Sequence, residues 1–136
     1  MAAGRYDFTI EQGATVNFEL AYKDSEGLPV DLTGFQARMQ LRPTQFSDNV
    51  YITLSSSLDA CGTGLNLSGS YNLNPPSSGT IGVFISAHSS SMLDFARAYY
   101  DLELAYTESN NPGCPIVVRL LEGAVALDRN VTLGSF

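Results

Sequence analysis

Apolar and polar side chains alternate with a period of two along several stretches of this chain, the spacing that turns one face of a pleated strand to a core and the other to water. Over 14–22, Val16, Phe18, Leu20 and Tyr22 fall on one face and Thr15, Asn17 and Glu19 on the other. The acidic turn Asp24-Ser25-Glu26-Gly27 then reverses the chain, its glycine supplying the positive φ such turns often need. The alternation returns over 34–42, with Phe35, Ala37, Met39 and Leu41 inward and Gln36, Arg38, Gln40 and Arg42 outward. Pro43 ends it by removing a ladder donor. A third strand is predicted over 50–54. The polar region 55–79 carries Leu65, Leu67, Tyr71 and Leu73 on one side of the alternation, so part of it is expected to pair as strand, with 74–79 a loop.

The segment 80–86 reads as a short apolar strand showing Ile81, Val83 and Ile85 to one face and Phe84 to the other, which suits the centre of a sheet. Ser91-Met92-Leu93-Asp94 has the form of a capping box and predicts a helical turn to about Ala96. Two strand-like runs, 99–106 and 115–123, flank a loop dense in Asn, Pro and Gly and predict a hairpin. Val125, Leu127, Val131 and Leu133 predict a last strand behind it. About eight short strands with at most one short helix make an all-β fold. The expected architecture is a single β-sandwich domain over 1–136, jelly-roll or immunoglobulin-like.

Composition agrees with one core: 136 residues, 44% hydrophobic, with seven Tyr and seven Phe broken up by twelve Gly and six Pro. Charge narrows the partners. Seven Lys and Arg stand against fourteen Asp and Glu, a net charge of -7. The cations come one at a time along the sequence, whereas phosphate backbones are bound by clustered ones, so no nucleic-acid partner is expected. An anionic membrane surface is disfavoured for the same reason. No stretch approaches the ~20 apolar residues that cross a bilayer, and Met1-Ala2-Ala3-Gly4-Arg5-Tyr6-Asp7 lacks the basic start and apolar run of a secretory signal. No membrane partner is expected.

Candidate chemistry is sparse. His88 is the lone histidine, followed directly by Ser89, Ser90 and Ser91, but a hydrolase triad needs its base within reach of the nucleophile and oriented by a carboxylate. A surface histidine at a helix start is the plainer reading. Gly62-Thr63-Gly64 lacks the strand-to-helix setting of a phosphate loop and reads as a turn. Asp24, Glu26 and Asp31 lack the oxygen-ligand spacing of a calcium loop. Asn66-Leu67-Ser68 and Asn130-Val131-Thr132 match the glycosylation pattern, idle without a signal peptide. Cys61 and Cys114 are too few for a zinc framework, and the sequence leaves them open as free thiols or one bridge. No catalytic residue, cofactor or metal is expected. Tyr51, Tyr71, Tyr99, Tyr100 and Tyr106 are able to serve as a sugar-stacking platform or a protein interface, or simply as core and rim residues of strands.

Several fragments in order carry a resemblance. They are Ile10-Glu11-Gln12-Gly13, Pro29-Val30-Asp31-Leu32-Thr33-Gly34, Arg38 with Leu41-Arg42, Gly79-Thr80-Ile81, Tyr100-Asp101-Leu102-Glu103, Val118-Arg119-Leu120-Leu121-Glu122-Gly123 and Val131-Thr132. Together the chain resembles the small tail and baseplate structural proteins of bacteriophages, in pattern the N-terminal domains of baseplate upper proteins. That resemblance implies a β-sandwich that docks on the tail or baseplate, with any fibre-forming part on another polypeptide because this chain stops at Phe136. The stretch 57–78, with Cys61, is longer and more polar than the pattern. The expected function is thus a non-enzymatic virion protein made in the bacterial host cytoplasm, a baseplate or tail-fibre-connecting component in several symmetric copies. Its partners would be other virion proteins. The rivals are a glycan-binding module for host recognition and a capsid or neck decoration protein. The apolar ends, Tyr6 and Phe8 at the start and Leu133 and Phe136 at the finish, are the candidate interface, with completion of the core as the alternative.

Overall fold

Strands form where the two-residue rhythm is long enough to bury a face, and they pair so that the buried faces meet. The computed structural model describes residues 4–132 except 109 and 111, so Leu133 and Phe136 lie outside the described residues. In chain order the elements are β1 (Gly4–Arg5), β2 (Phe8–Glu11), β3 (Val16–Ala21), β4 (Gln36–Arg42), β5 (Ile52–Ser55), β6 (Gly64–Asn66), β7 (Thr80–Ile85), α1 (Ala87–Ser91), β8 (Arg97–Tyr106) and β9 (Ile116–Asp128). Single 3-10 turns occupy Ser70–Asn72 and Pro76–Ser78.

One sheet has the order β1-β9-β8-β4-β5, with β2 also paired to β9, and the other has the order β3-β7-β6. All pairings are antiparallel except those of β1 and β2, which run parallel to β9. The inner faces meet in one core that includes Ile10, Met39, Leu41, Leu54, Leu102, Leu104 and Val125 from the first sheet and Leu65, Ile81, Val83 and Ile85 from the second. Of the two sandwich types expected, this strand order is the immunoglobulin-like one, β3-β7-β6 standing for strands B-E-D and β9-β8-β4-β5 for G-F-C-C′. β3 and β4 keep the faces read from the sequence, and β7 is central, as expected. The turn after β3 closes on Gly27 at φ 81, with the Asp24 carboxylate accepting the Glu26 and Leu28 N–H groups.

Three expectations are corrected. The helix is α1, not 91–96: the Ser86 hydroxyl caps it by accepting the Ser89 N–H at 3.2 Å. The capping-box residues lose out because Leu93 and Phe95 turn into the core and the Asp94 carboxylate pairs with Arg129. Among the described residues the expected final strand is not separate: Val125 and Leu127 continue β9 past Gly123, and Val131 is exposed, while Leu133 lies outside them. The third strand begins at Ile52 and runs on to Ser55; beyond it part of the polar region pairs as expected, Gly64–Asn66, while Tyr71 and Leu73 lie on the surface. The parallel strands β1 and β2 had no expectation at all.

A β-bulge between Leu102 and Glu103 shapes β9. Its extra residue lets Leu120 and Leu121 both pack on the core while Arg119 and Glu122, three apart, both face outward. α1 is pinned by buried Ser90, whose hydroxyl donates to the Ala14 carbonyl at 2.7 Å and accepts the Gly13 N–H at 3.1 Å.

Candidate functional site

The outward face of the larger sheet is where the sequence's scattered charges converge. Cross-strand register sets Arg38 opposite Glu103, Gln40 opposite Asp101 and Arg42 opposite Tyr99, and on the other side Glu122 opposite Asp101. Directly opposed residues share a face of the sheet. With Arg5 at the edge, these side chains line a groove of about 770 Å³. Arg38 Nε lies 2.7 Å from Glu103 Oε1, and Arg119 reaches Asp101 at 3.4 Å and Glu122 at 4.0 Å. Arg42 donates to Gln40 Oε1 at 2.6 Å and to the Ser47 carbonyl at 2.9 Å. Arg97 sits over the Tyr99 ring, 5.8 Å from its centre. Phe46 stands at the rim, 87% exposed.

Cations that come one at a time along the sequence are thus brought together by the fold. Arg5, Arg38, Arg42, Arg97 and Arg119 are five of the seven Lys and Arg of the chain, and together with Asp7, Asp101, Glu103 and Glu122 they form a mixed-charge face. The rest of the chain carries two cations and ten carboxylates, so the face is cationic relative to everything around it. Period-two alternation in sequence already puts Arg38, Gln40 and Arg42 together; what it hides is that β8 and β9 add Arg97 and Arg119 across the sheet. Exposed pairs of this kind contribute roughly 0–1 kcal/mol each to stability. Their effect is to hold long side chains in fixed positions over the groove.

Of the four candidate interface residues, two lie within the described structure. Tyr6, 43% exposed, and half-buried Phe8 join Phe18 and Tyr100 in an aromatic cluster with ring centres 5.1 to 6.2 Å apart, closing the seam between β2 and β3. Phe8 thus completes the core, while Tyr6 covers an edge and keeps a free face. The Tyr100 hydroxyl donates to the Tyr6 carbonyl at 2.5 Å, fixing where the N-terminal strand enters the sheet. Burial, and then the nearby Asp7 carboxylate and Tyr6, push the Tyr100 phenol well above the ordinary tyrosine value. A raised value in the folded state means that its stabilising contribution is whole below the unfolded value, near 10, and is lost as pH rises through the folded one. Above about pH 10 the urea midpoint should therefore fall with pH, and Tyr100→Phe should flatten that fall at the cost of one hydrogen bond, about 1 kcal/mol at every pH.

The remaining candidates separate. Cys61 and Cys114 are exposed free thiols and are not bridged. Tyr51 stacks on Phe95 and Tyr106 on Phe35, as strand rim residues do. Tyr71 projects from the second sheet and meets Phe84 edge-on. His88 is exposed in α1. The Gly62 segment is a turn in which the Asp59 carboxylate accepts the Cys61 and Thr63 N–H groups. Asp31 is drawn below the ordinary carboxylate value by the Thr33 hydroxyl and N–H that bond to it. Among the described residues no three His, Cys, Asp or Glu side chains gather to hold a metal ion. Within the same residues no helix is long and apolar enough to cross a membrane.

The class defined by this architecture is an all-β sandwich with an immunoglobulin-like strand order and a charged groove on its larger sheet. No protein-family model and no curated protein matches the chain.

Proposed function

We propose that this chain is a non-catalytic assembly domain of a tailed-bacteriophage virion, a baseplate or tail-fibre-connecting component held in several symmetric copies. It docks on other virion proteins through the outward face of β4, β8 and β9. The observation that carries the docking part is the gathering of four arginines, Arg5, Arg38, Arg42 and Arg119, with interleaved carboxylates and an exposed Phe46 on one groove. Complementary charge sets register and suppresses wrong partners, and an exposed aromatic supplies an anchor. The phage part rests on the ordered fragments of sequence that resemble baseplate proteins.

Gold-labelled antibodies against the chain should mark one end of the tail on intact particles; unlabelled particles would remove the phage assignment. The double variant Arg38→Glu with Arg119→Glu should fold with its stability changed by no more than about 1 kcal/mol, because both side chains are exposed. It should nevertheless fail to enter particles in a complementation assay. Normal incorporation of the variant would remove the groove from the account.

A further inference from the structure

We infer that the outer face of the smaller sheet holds a second, separate site that binds a neutral sugar ring. This goes beyond the assembly role and does not depend on it. The site is a recess of about 270 Å³ with Gly82 and Phe84 of β7 as its floor, Leu58 and Cys61 on one side and Asn66, Tyr71 and Asn72 on the other. Among the described residues no charged side chain lines it, on a chain whose net charge is -7. Ionic ligands therefore find no counter-charge there.

Tyr71 is placed in this recess against its own backbone preference. It has φ 58 and ψ 27, and Asn72 follows at φ 57, two successive left-handed residues that both carry a Cβ. Such strain persists only where surrounding contacts over-determine it, and it gathers at ligand clamps. The contacts are present. Ser70 donates its N–H to Glu19 Oε2 at 2.8 Å and its hydroxyl to Asn17 Oδ1 at 2.7 Å, while Asn66 Nδ2 donates to Asn72 Oδ1 at 3.0 Å. Beneath them a Cβ at Gly82 would stand 2.7 Å from the Ser70 nitrogen, so only glycine lets this segment lie on the sheet. The result of all this fastening is a tyrosine left 67% exposed.

Its ring meets Phe84 at 5.9 Å and 71°, a corner with an open aromatic face, and the Asn66 and Asn72 amides stand beside it. A pyranose needs that combination: an apolar ring face to lie on an aromatic, and hydroxyls at its rim to meet planar amides. A purely apolar ligand would leave the remaining N–H groups of the two amides unmatched, since Asn66 and Asn72 already share one hydrogen bond, and an acidic sugar would meet no cation.

The test is a nuclear-magnetic-resonance titration of the intact chain with glucose, galactose and N-acetylglucosamine, with sialic acid and adenosine as comparison arms. Amide shifts should be confined to 58–62, 66–72 and 82–84 and should saturate with a neutral sugar. Tyr71→Gly should weaken binding about ten-fold, the worth of one stacked ring. The same variant should raise the melting temperature, since glycine relieves the left-handed strain, which separates lost binding from lost folding. Met92→Ala, exposed and away from the recess, should bind as before. Absence of saturable shifts with every neutral sugar, binding only of sialic acid or adenosine, or unaltered binding by Tyr71→Gly would each overturn the inference. Because Arg38→Glu with Arg119→Glu lies on the opposite sheet, sugar binding by that variant should be intact, so failure of this site and failure of the docking face are told apart.

Discussion

Gly123→Ala is expected to destabilise the protein by about 3 kcal/mol, at the upper end of overpacking costs. A Cβ there would stand 2.0 Å from the Tyr6 carbonyl oxygen and 2.8 Å from its carbon, both backbone atoms that no rotamer change can move. β9 cannot yield, because it is zipped to β8 along its length. The N-terminal segment must yield instead. It would give up the parallel pairing of β1 and β2, the Tyr100–Tyr6 bond and the bond from the Ala124 N–H to Asp7. Urea unfolding measures the loss, and hydrogen exchange at residues 9–11 should show the freed strand. Gly113→Ala is the control, since nothing lies within 4 Å of its Cβ position, and it should leave the midpoint where it is. Equal midpoints for the two variants would contradict the close crossing at Gly123.

The second large effect belongs to the core. Leu102 is fully buried in β8, the strand flanked by β4 and β9, and its side chain faces the smaller sheet. Leu102→Ala should cost about 3 kcal/mol through lost burial and the cavity left behind. That is a large share of the roughly 5–15 kcal/mol that holds a domain together. One residue on, Glu103 is partly buried at the groove and pairs with exposed Arg38, and Glu103→Ala should change stability by no more than about 1 kcal/mol. The contrast between adjacent residues, read as two urea midpoints, separates the face that makes the fold from the face offered to partners. A cost for Glu103→Ala equal to that of Leu102→Ala would mean that the charged face is structural.

How far such features can be read from the chain depends on the range of the interactions that make them. β3, β4, the turn at Asp24, the central β7 and the β8–β9 hairpin were all legible, because alternation over six or more residues and turn chemistry are local signals. β1 and β2 are short and pair in parallel with a strand more than a hundred residues away, so nothing near them announces a strand. Gly123 reads as a terminator when it is a crossing point for Tyr6. The helix moved because a capping box at Ser91 competes with the burial of Leu93 and Phe95, and burial wins.

The sites divide in the same way. That Arg38, Gln40 and Arg42 share a face is plain from their spacing. That Arg97 and Arg119 join them needs the register of three strands and the bulge at Leu102, neither of which the chain displays. Tyr6 and Phe8 were picked out for being apolar near an end, and the fold gives them one shared cluster with two different roles. Tyr71 is one of seven tyrosines in the sequence; only its left-handed backbone, in the turn that Gly82 lets lie on the sheet, singles it out.

Density for the intact particle is the most direct measurement of the central proposal. It should contain several symmetry-related copies of this sandwich at one end of the tail, each with a neighbouring subunit laid over Arg38, Arg42, Phe46 and Arg119. Particles without the chain, or copies whose groove faces open solvent throughout, would contradict it.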